Sequence, residues 1–268
     1  MVVFTYVNFI FLKFMKKISA VIVAHNEEKK IRDCLKSLYF ADEIVVVLDR
    51  CNDKTKEIAL EYNAIIQEGS WEIEGARRNI ALNLAQGEWI LEIDADERVS
   101  EELKNEIIEK IRTSNRCGFN IGIANYVGKR WIKFGWLRTI AVLKRNSLSY
   151  RGIKKYHEDK QIHPTCFFDG KIYDMENYLI HLVDDDIADL LARFNRYTNW
   201  KANDMVLKNK KLPNIFKLIC SVKWRFCKSY IFKKGYKEGV IGILIAILCA
   251  IYPLVSYLKF KEIKNENC

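Results

Sequence analysis

The chain has 268 residues, half of them hydrophobic, with 12 glycines, 3 prolines and a formal net charge of +10. A chain of this length can bury a full core, and an apolar composition without low-complexity tracts or a fixed repeat excludes disordered, fibrous and repeat proteins. Residues 1–100 carry 13 basic against 17 acidic side chains, whereas residues 201–268 carry 14 against 4, net +10, so acidic chemistry lies early and a basic surface late.

"MVVFTYVNFIFLKFMKK" (1–17) is apolar, but no charged segment precedes it and no small-residue cleavage site follows, as a secretory signal would require. Met15 opens a natural start, so residues 1–16 are read as a hydrophobic extension or a misassigned start. "ISAVIVA" (18–24) is a continuous β-branched run of the kind buried on both faces of a parallel sheet. It stops at "HNEE", where Asn26 is an expected N-cap for a helix carrying Ile31, Leu35 and Leu38 at helical spacing. "EIVVVLD" (43–49) is a second strand, residues 52–62 a helix with Asp53 its expected cap, "AIIQ" (64–67) a third strand, "EGARRNIALNLA" (74–85) a helix and "EWILEI" (88–93) a fourth strand. Four strand–helix alternations in about a hundred residues predict a doubly wound α/β sheet.

Ligands in such sheets bind at the carboxyl ends of the strands, and here three strands end in polar residues: Ala24-His25-Asn26-Glu27, Asp49-Arg50 and Asp94-Ala95-Asp96. Carboxylates at i and i+2 past a buried strand can turn toward one ion, and oxygen ligands of that kind suit Mg²⁺ or Mn²⁺ together with substrate phosphates. A helix start at Ser100-Glu101-Glu102 would account for the later acids but not for Asp94 and Asp96. Glu97 and Arg98 are read as supporting or surface residues, and Arg77 as a solvated helix residue.

Beyond residue 113 the alternation is lost. Strands are expected at 118–128, 137–146 and 178–183, then a helix from Asp184 with its first turn capped by aspartates. "KWRFCKSYIFKKGYK" (223–237) interleaves six basic residues with aromatics, and "GVIGILIAILCAIYPLVSYL" (239–258) has no charge. Twenty apolar residues can span a bilayer, yet Pro253 should break or kink such a helix near one end, and both flanks are basic. A helix lying in the interface, its lysines on anionic headgroups, explains the basic-aromatic stretch better than a span or a soluble core helix does.

Eight cysteines are scattered without a CxxC pair or zinc spacing, which fits reduced, cytoplasmic thiols. The basic balance would suit nucleic acid, but no helix-turn-helix, zinc-finger or ribonucleoprotein pattern accompanies it, so no nucleic-acid partner is expected.

The motifs "SAVIVAHNEEKKIRDCLKSL", "ADEIVVVLDRCNDKTKEIA", "GARRNIALNLAQGEWILEIDADERVS" and the later "HE" resemble family 2 glycosyltransferases, and within them lipopolysaccharide-core β-glycosyltransferases. The resemblance implies a GT-A-like nucleotide-sugar-binding fold, a Rossmann-like mixed sheet flanked by helices, followed by a C-terminal helical membrane-associating region. The corresponding domains are a catalytic domain over 17–183, with a nucleotide-binding half at 17–113 and an acceptor half at 114–183, and a basic and hydrophobic region over 184–268. It also implies inverting transfer of a hexose, foremost glucose, from a UDP-sugar to a lipopolysaccharide-core or other lipid-linked acceptor at the inner face of the cell membrane.

By the same resemblance Ala24, Asn26 and Glu27 line the nucleotide pocket, Asp49 contacts the base, and Arg78 lies beside the nucleotide. Asp94 and Asp96 match the DxD motif, with Asp96 the direct ligand of Mg²⁺ or Mn²⁺. Glu158 matches the "HE" carboxylate that takes the acceptor's proton, with His157 orienting it and Asp159 its nearest competitor. Related enzymes often hold a histidine near the metal at the place of His181, although a lone histidine at a strand end is more often structural. Arg50 and Cys51 replace small residues of the family pattern, which puts pocket shape or base preference in question. Two rivals are a non-catalytic nucleotide-sugar-binding module and a nucleotidyltransferase, although "VIVAHNEEKK" lacks the glycine-rich loop the latter would use.

Overall fold

A computed structural model describes residues 17–136, 143–158, 164–208 and 214–266. The N-terminal extension, residues 137–142 of one expected strand and Asp159 lie outside the described residues. The chain forms two compact units, one of residues up to 123 with 144–181, the other of residues 124–143 with 182–268.

The first unit holds β1 (Ile18–Ala24), α1 (Ile31–Ser37), β2 (Glu43–Asp49), α2 (Thr55–Glu61), β3 (Ile65–Gly69), α3 (Glu74–Leu84), β4 (Trp89–Glu92), β5 (Glu97–Arg98) and α4 (Glu101–Thr113). Next come β6 (Cys117–Val127), whose end passes into the second unit with β7 (Arg130–Trp131), then β8 (Leu143–Tyr150), β9 (Lys154–Tyr156), β10 (Cys166–Phe168) and β11 (Lys171–Asp184). The main sheet runs in the order β3-β2-β1-β4-β8-β6-β11-β5, with β7 on β6, and β9 and β10 form a separate pair. β1 pairs in parallel with both β2 and β4, while β8 is antiparallel to β4. The chain therefore leaves β1 on one side, through β2 and β3, and returns on the other at β4. That reversal of strand order creates a crevice at the carboxyl ends of β1 and β4.

Because side chains alternate across a strand, β1 feeds two cores. Ile18, Ala20, Ile22 and Ala24 pack with Ile31 and Leu35 of α1, Ile58 of α2 and Leu103, Ile107 and Ile111 of α4. Val21 packs on the opposite face with Val45, Val47, Ile90 and the α3 residues Ala81 and Leu82. Both faces of the sheet are thus covered, which is why β1, β2 and β4 read as unbroken apolar runs.

Several local expectations hold, and others need correction. Ser100 caps α4 by accepting from the Leu103 amide at 3.2 Å. Asn26 is not the cap of α1: its φ of 56° is left-handed, and the helix begins only at Ile31 after Lys30. Its side chain accepts instead from the Asn52 amide at 2.9 Å, tying the loop after β1 to the loop after β2. Asp53 is not the cap of α2 either: that position falls to Lys54, and Asp53 accepts from the Thr55 amide at 3.0 Å from one residue further out. The strand expected at 178–183 extends over Lys171–Asp184.

In the second unit α5 (Ile187–Leu207) is capped by Asp186, and α6 (Ile215–Cys227) by Asn214, each side chain accepting at 2.8 Å from an amide of the first turn. A π-helical turn and a 3-10 turn then lead into α7 (Val240–Glu266). Buried Glu238 organises this bend by accepting from Arg130 and from the Lys133 and Phe134 amides. Pro253 does not end the helix; α7 continues through it to Glu266. A proline at 253 has no N–H for the carbonyl of Cys249 four residues earlier. Arg225 of α6 replaces that donor, its Nε bonding to the Cys249 carbonyl at 2.7 Å.

Candidate active site

The loops that follow β1, β2 and β4 meet where the strand order reverses. Ala24 is the buried last residue of β1. The Glu27 amide donates to Thr55 Oγ1 at 2.8 Å, and its carbonyl accepts from Lys30 and Ile31, the bonds that start α1 in place of a side-chain cap. The two departures from the family pattern have definite places. Cys51 accepts from the Asn26 amide at 3.4 Å, and Arg50 folds back on Asp49.

Asp49 is wholly buried. Its carboxylate accepts from Arg50 Nε and Nη2 at 3.1 and 2.9 Å, from the Trp71 amide at 3.1 Å and from Arg77. Burial pushes this carboxyl up, but the hydrogen bonds from Arg50, Trp71 and Arg77 outweigh it and hold it below the usual range. Arg77 is therefore not solvated; it is half of the clamp on Asp49. All four acceptor positions of the carboxylate are used, so contact with a nucleotide base requires one donor to leave.

The β4 end is built differently. Asp94 accepts from Arg145 Nη1 at 2.5 Å and lies 3.5 Å from Arg78, which also pairs with Glu74 at 2.9 Å and sits over the Tyr156 ring. Burial would raise the Asp94 carboxyl, and Arg145 and Arg78 more than reverse that, holding it well below the usual carboxylate range. Arg145, on β8, also donates to Glu97 at 2.6 Å and to Ser147 at 2.9 Å. Glu97 is not a surface residue. It is buried, accepts from the Asp94 amide at 2.9 Å and pairs through β5 with His181 on β11. That pairing brings His181 Nε2 to 3.1 Å from Asp96 Oδ2. Burial lowers the His181 imidazole, but the Asp96 hydrogen bond and the charges of Asp96, Glu97 and Asp94 raise it further, with a net upward shift.

These residues fit a divalent cation on the chemistry of their donors. Asp96 and His181 converge, with Asp94 two residues away, but among the described residues no group of three His, Cys, Asp or Glu is placed to hold an ion alone. Mg²⁺ and Mn²⁺ commonly take one or two protein ligands and complete their shell with phosphates and water. Negative charge is in excess nearby: burial, then Asp96, then Asp53 and Asp94, against an opposing Lys30, push Glu27 up to about 7.

The last component follows directly on β9. The Glu158 carboxylate accepts from Asn79 Nδ2 at 2.8 Å, while His157 is exposed and its amide donates to the Thr165 carbonyl at 2.8 Å. Arg78 and Asn79 are adjacent on α3, so one helical turn reaches both Asp94 and Glu158. Beneath them lies a buried set the sequence reading did not single out, in which Glu92 accepts from Lys154 and, at 2.7 Å, from the Tyr156 hydroxyl. A glutamate inside the apolar run "EWILEI" was its one visible mark.

Residues 19–179 match the model of glycosyl transferase family 2, and the chain belongs to that family. It is a glycosyltransferase, with the central mixed sheet flanked by helices of a GT-A-like fold. It is 27% identical to "Uncharacterized glycosyltransferase RC0292" of Rickettsia conorii over 94% of this chain and 93% of the relative. The lipopolysaccharide core biosynthesis glycosyltransferase LpsC of Rhizobium meliloti is 25% identical over 91% of this chain and 92% of its own length. The crystal structure of S. aureus TarS matches with a TM-score of 0.47 and 18% identity, covering 93% of this chain and 54% of that one.

Proposed function

We propose that the enzyme transfers a hexose, foremost glucose, from a UDP-sugar to a lipopolysaccharide-core or other lipid-linked acceptor, with inversion and with Mg²⁺ or Mn²⁺ on the donor diphosphate. The observation that carries this reading is the division of labour past β4. Asp94 is held by two arginines, whereas Asp96, with no Arg or Lys ion pair among the described residues, faces the imidazole of His181 at 3.1 Å. A bound cation would offset the negative charge that builds on the diphosphate as it leaves. Glu158 takes the proton of the acceptor hydroxyl while that oxygen bonds to the anomeric carbon and the bond from that carbon to the diphosphate breaks, releasing UDP. Ala24, Asn26 and Glu27 form the pocket floor, Asp49 the base end and Arg78 the phosphate side, with His157 beside the base.

The acceptor part of the reading is supported by LpsC, whose name assigns it to core lipopolysaccharide. The second unit supports a site on the inner face of the membrane. Its residues 201–268 carry the net +10, and Phe216, Trp224, Phe232 and Val240 are exposed on and around α6 and the start of α7. Val240–Lys264 is also long and apolar enough to cross a bilayer, with a mean hydropathy of 2.4 over its most apolar 18-residue stretch. In-plane attachment accounts better for the lysines and aromatics that precede it.

UDP-glucose turnover by the purified enzyme should require Mg²⁺ or Mn²⁺ and stop with EDTA. Asp96→Ala should lower it about a hundredfold or more; an unchanged rate and unchanged donor affinity would remove the metal assignment. A thermal-shift screen of UDP-, GDP- and dTDP-sugars with Mn²⁺ identifies the donor, because a ligand stabilises the state that binds it.

A further inference from the structure

We propose that Asn79 is a positioning residue for Glu158, holding its carboxylate in place through an amide fixed by the backbone of β9. This rests on the reading of Glu158 as the base.

Asn79 lies on α3 and is buried, with 7% of its surface exposed. Its Oδ1 accepts from the Tyr156 amide at 2.8 Å, and its Nδ2 donates to the Tyr156 carbonyl at 2.9 Å. The side chain thus satisfies both backbone groups of Tyr156 as a neighbouring strand would. That double bond fixes which end of the amide is which and removes its rotational freedom. Nδ2 has a second hydrogen, and it goes to Glu158 Oε1 at 2.8 Å.

The segment is held at each of its three residues. Tyr156 is fixed by Asn79 and, through its hydroxyl, by Glu92. His157 lies against α3 at Gly75, where a Cβ would come within 2.2 Å of the His157 carbonyl oxygen. Gly75 and Asn79 are four residues apart and so share one face of the helix. Glu158 is then tethered by one oxygen, leaving the lone pairs of the other for the incoming proton. An exposed glutamate at a strand end would otherwise sample several rotamers, and a general base must sit within hydrogen-bond reach of the proton it removes.

The test is steady-state release of UDP from UDP-glucose with Mn²⁺ present and water as acceptor, or from whichever UDP-sugar the donor screen selects. Glu158→Gln should lower kcat by roughly 10²-fold or more, the range of general-base loss. Asn79→Ala should lower kcat about tenfold with the donor KM unchanged, as expected for a misplaced group rather than a lost contact to donor. Combined with Glu158→Gln, Asn79→Ala should add no further loss, because both changes act on one function.

Gly75→Ala, which keeps the Asn79 amide but pushes the His157 carbonyl off α3 and so draws Glu158 away from Asn79, should repeat the kcat loss. It decides the matter if Asn79→Ala shows no cooperative melt. Wild-type kcat in the position-79 variant, a raised KM, or an equal loss in the Glu158→Gln background would overturn the positioning role while leaving Glu158 as the base. An unchanged kcat in Glu158→Gln, or no turnover of any UDP-sugar by the wild type, overturns the base assignment and the inference with it.

Discussion

Asp49 and Asp94 stand at the ends of the two strands that flank β1, and each is held by a pair of arginines. Asp49 has Arg50 from its own loop and Arg77 from α3; Asp94 has Arg145 from β8 and Arg78 from α3. Consecutive residues on a helix point ~100° apart, so one turn of α3 sends an arginine to each strand end. The environments then diverge. The Asp49 side chain is completely enclosed, while a third of the Asp94 side chain remains open and Asp96 next to it is left to His181. A closed clamp fixes loop geometry; an open one cancels a single charge beside a carboxylate that faces an imidazole.

Breaking the Asp94 clamp should have the larger effect on stability. Arg145→Met leaves Glu97 buried without its cation and Asp94 with only the longer contact to Arg78, at a cost of about 3–5 kcal/mol. Urea unfolding measures this, and a loss under 1 kcal/mol would mean that Arg145 does not carry the β4 end. Arg77→Met should cost about 1–3 kcal/mol, since Asp49 keeps Arg50 and the Trp71 amide. If it equals the Arg145 change, the two ends are held alike and the contrast fails.

The smallest effect concerns Glu27 and reads the charge left over at the open end. Its folded value near 7 lies above the ordinary 4.5, so between those values the native state binds the extra proton. Its contribution to stability is full below about pH 4.5 and is lost as pH rises through about 7. Wild-type melting temperature should therefore fall from about pH 5 to about pH 8 more steeply than that of Glu27→Gln. Parallel curves would show that Glu27 is neither desolvated nor crowded by Asp96 in the native state, and added Mn²⁺ should flatten the wild-type slope.

Much of this end of the molecule was readable from residues alone. β1, β2 and β4 are buried on both faces, so they appear as apolar runs, and the aspartates that follow stand out against them. The partners of those aspartates were not readable. Arg77 and Arg78 look equivalent in "ARRN", and only the position of α3 between two strand ends separates their roles. Arg145 sits in an ordinary polar stretch 51 residues from Asp94, where no local pattern marks an ion pair. β9 and β10 have three residues each, too short for a period of two to show. Asn79 was hidden by its neighbours' charge, because an amide that completes a strand has no signature of its own.

The bond from Arg225 to the Cys249 carbonyl acts as a register pin. A smooth apolar helix can slide or turn against its partner at little cost, since one leucine contact replaces another. α7 is held at one level, because Pro253 removes the helical donor to the Cys249 carbonyl and Arg225 of α6 supplies one, with the same guanidinium over the Tyr252 ring. A shift by a single residue would pull that carbonyl away from its guanidinium donor, so a missing proton sets the register of α7 against α6.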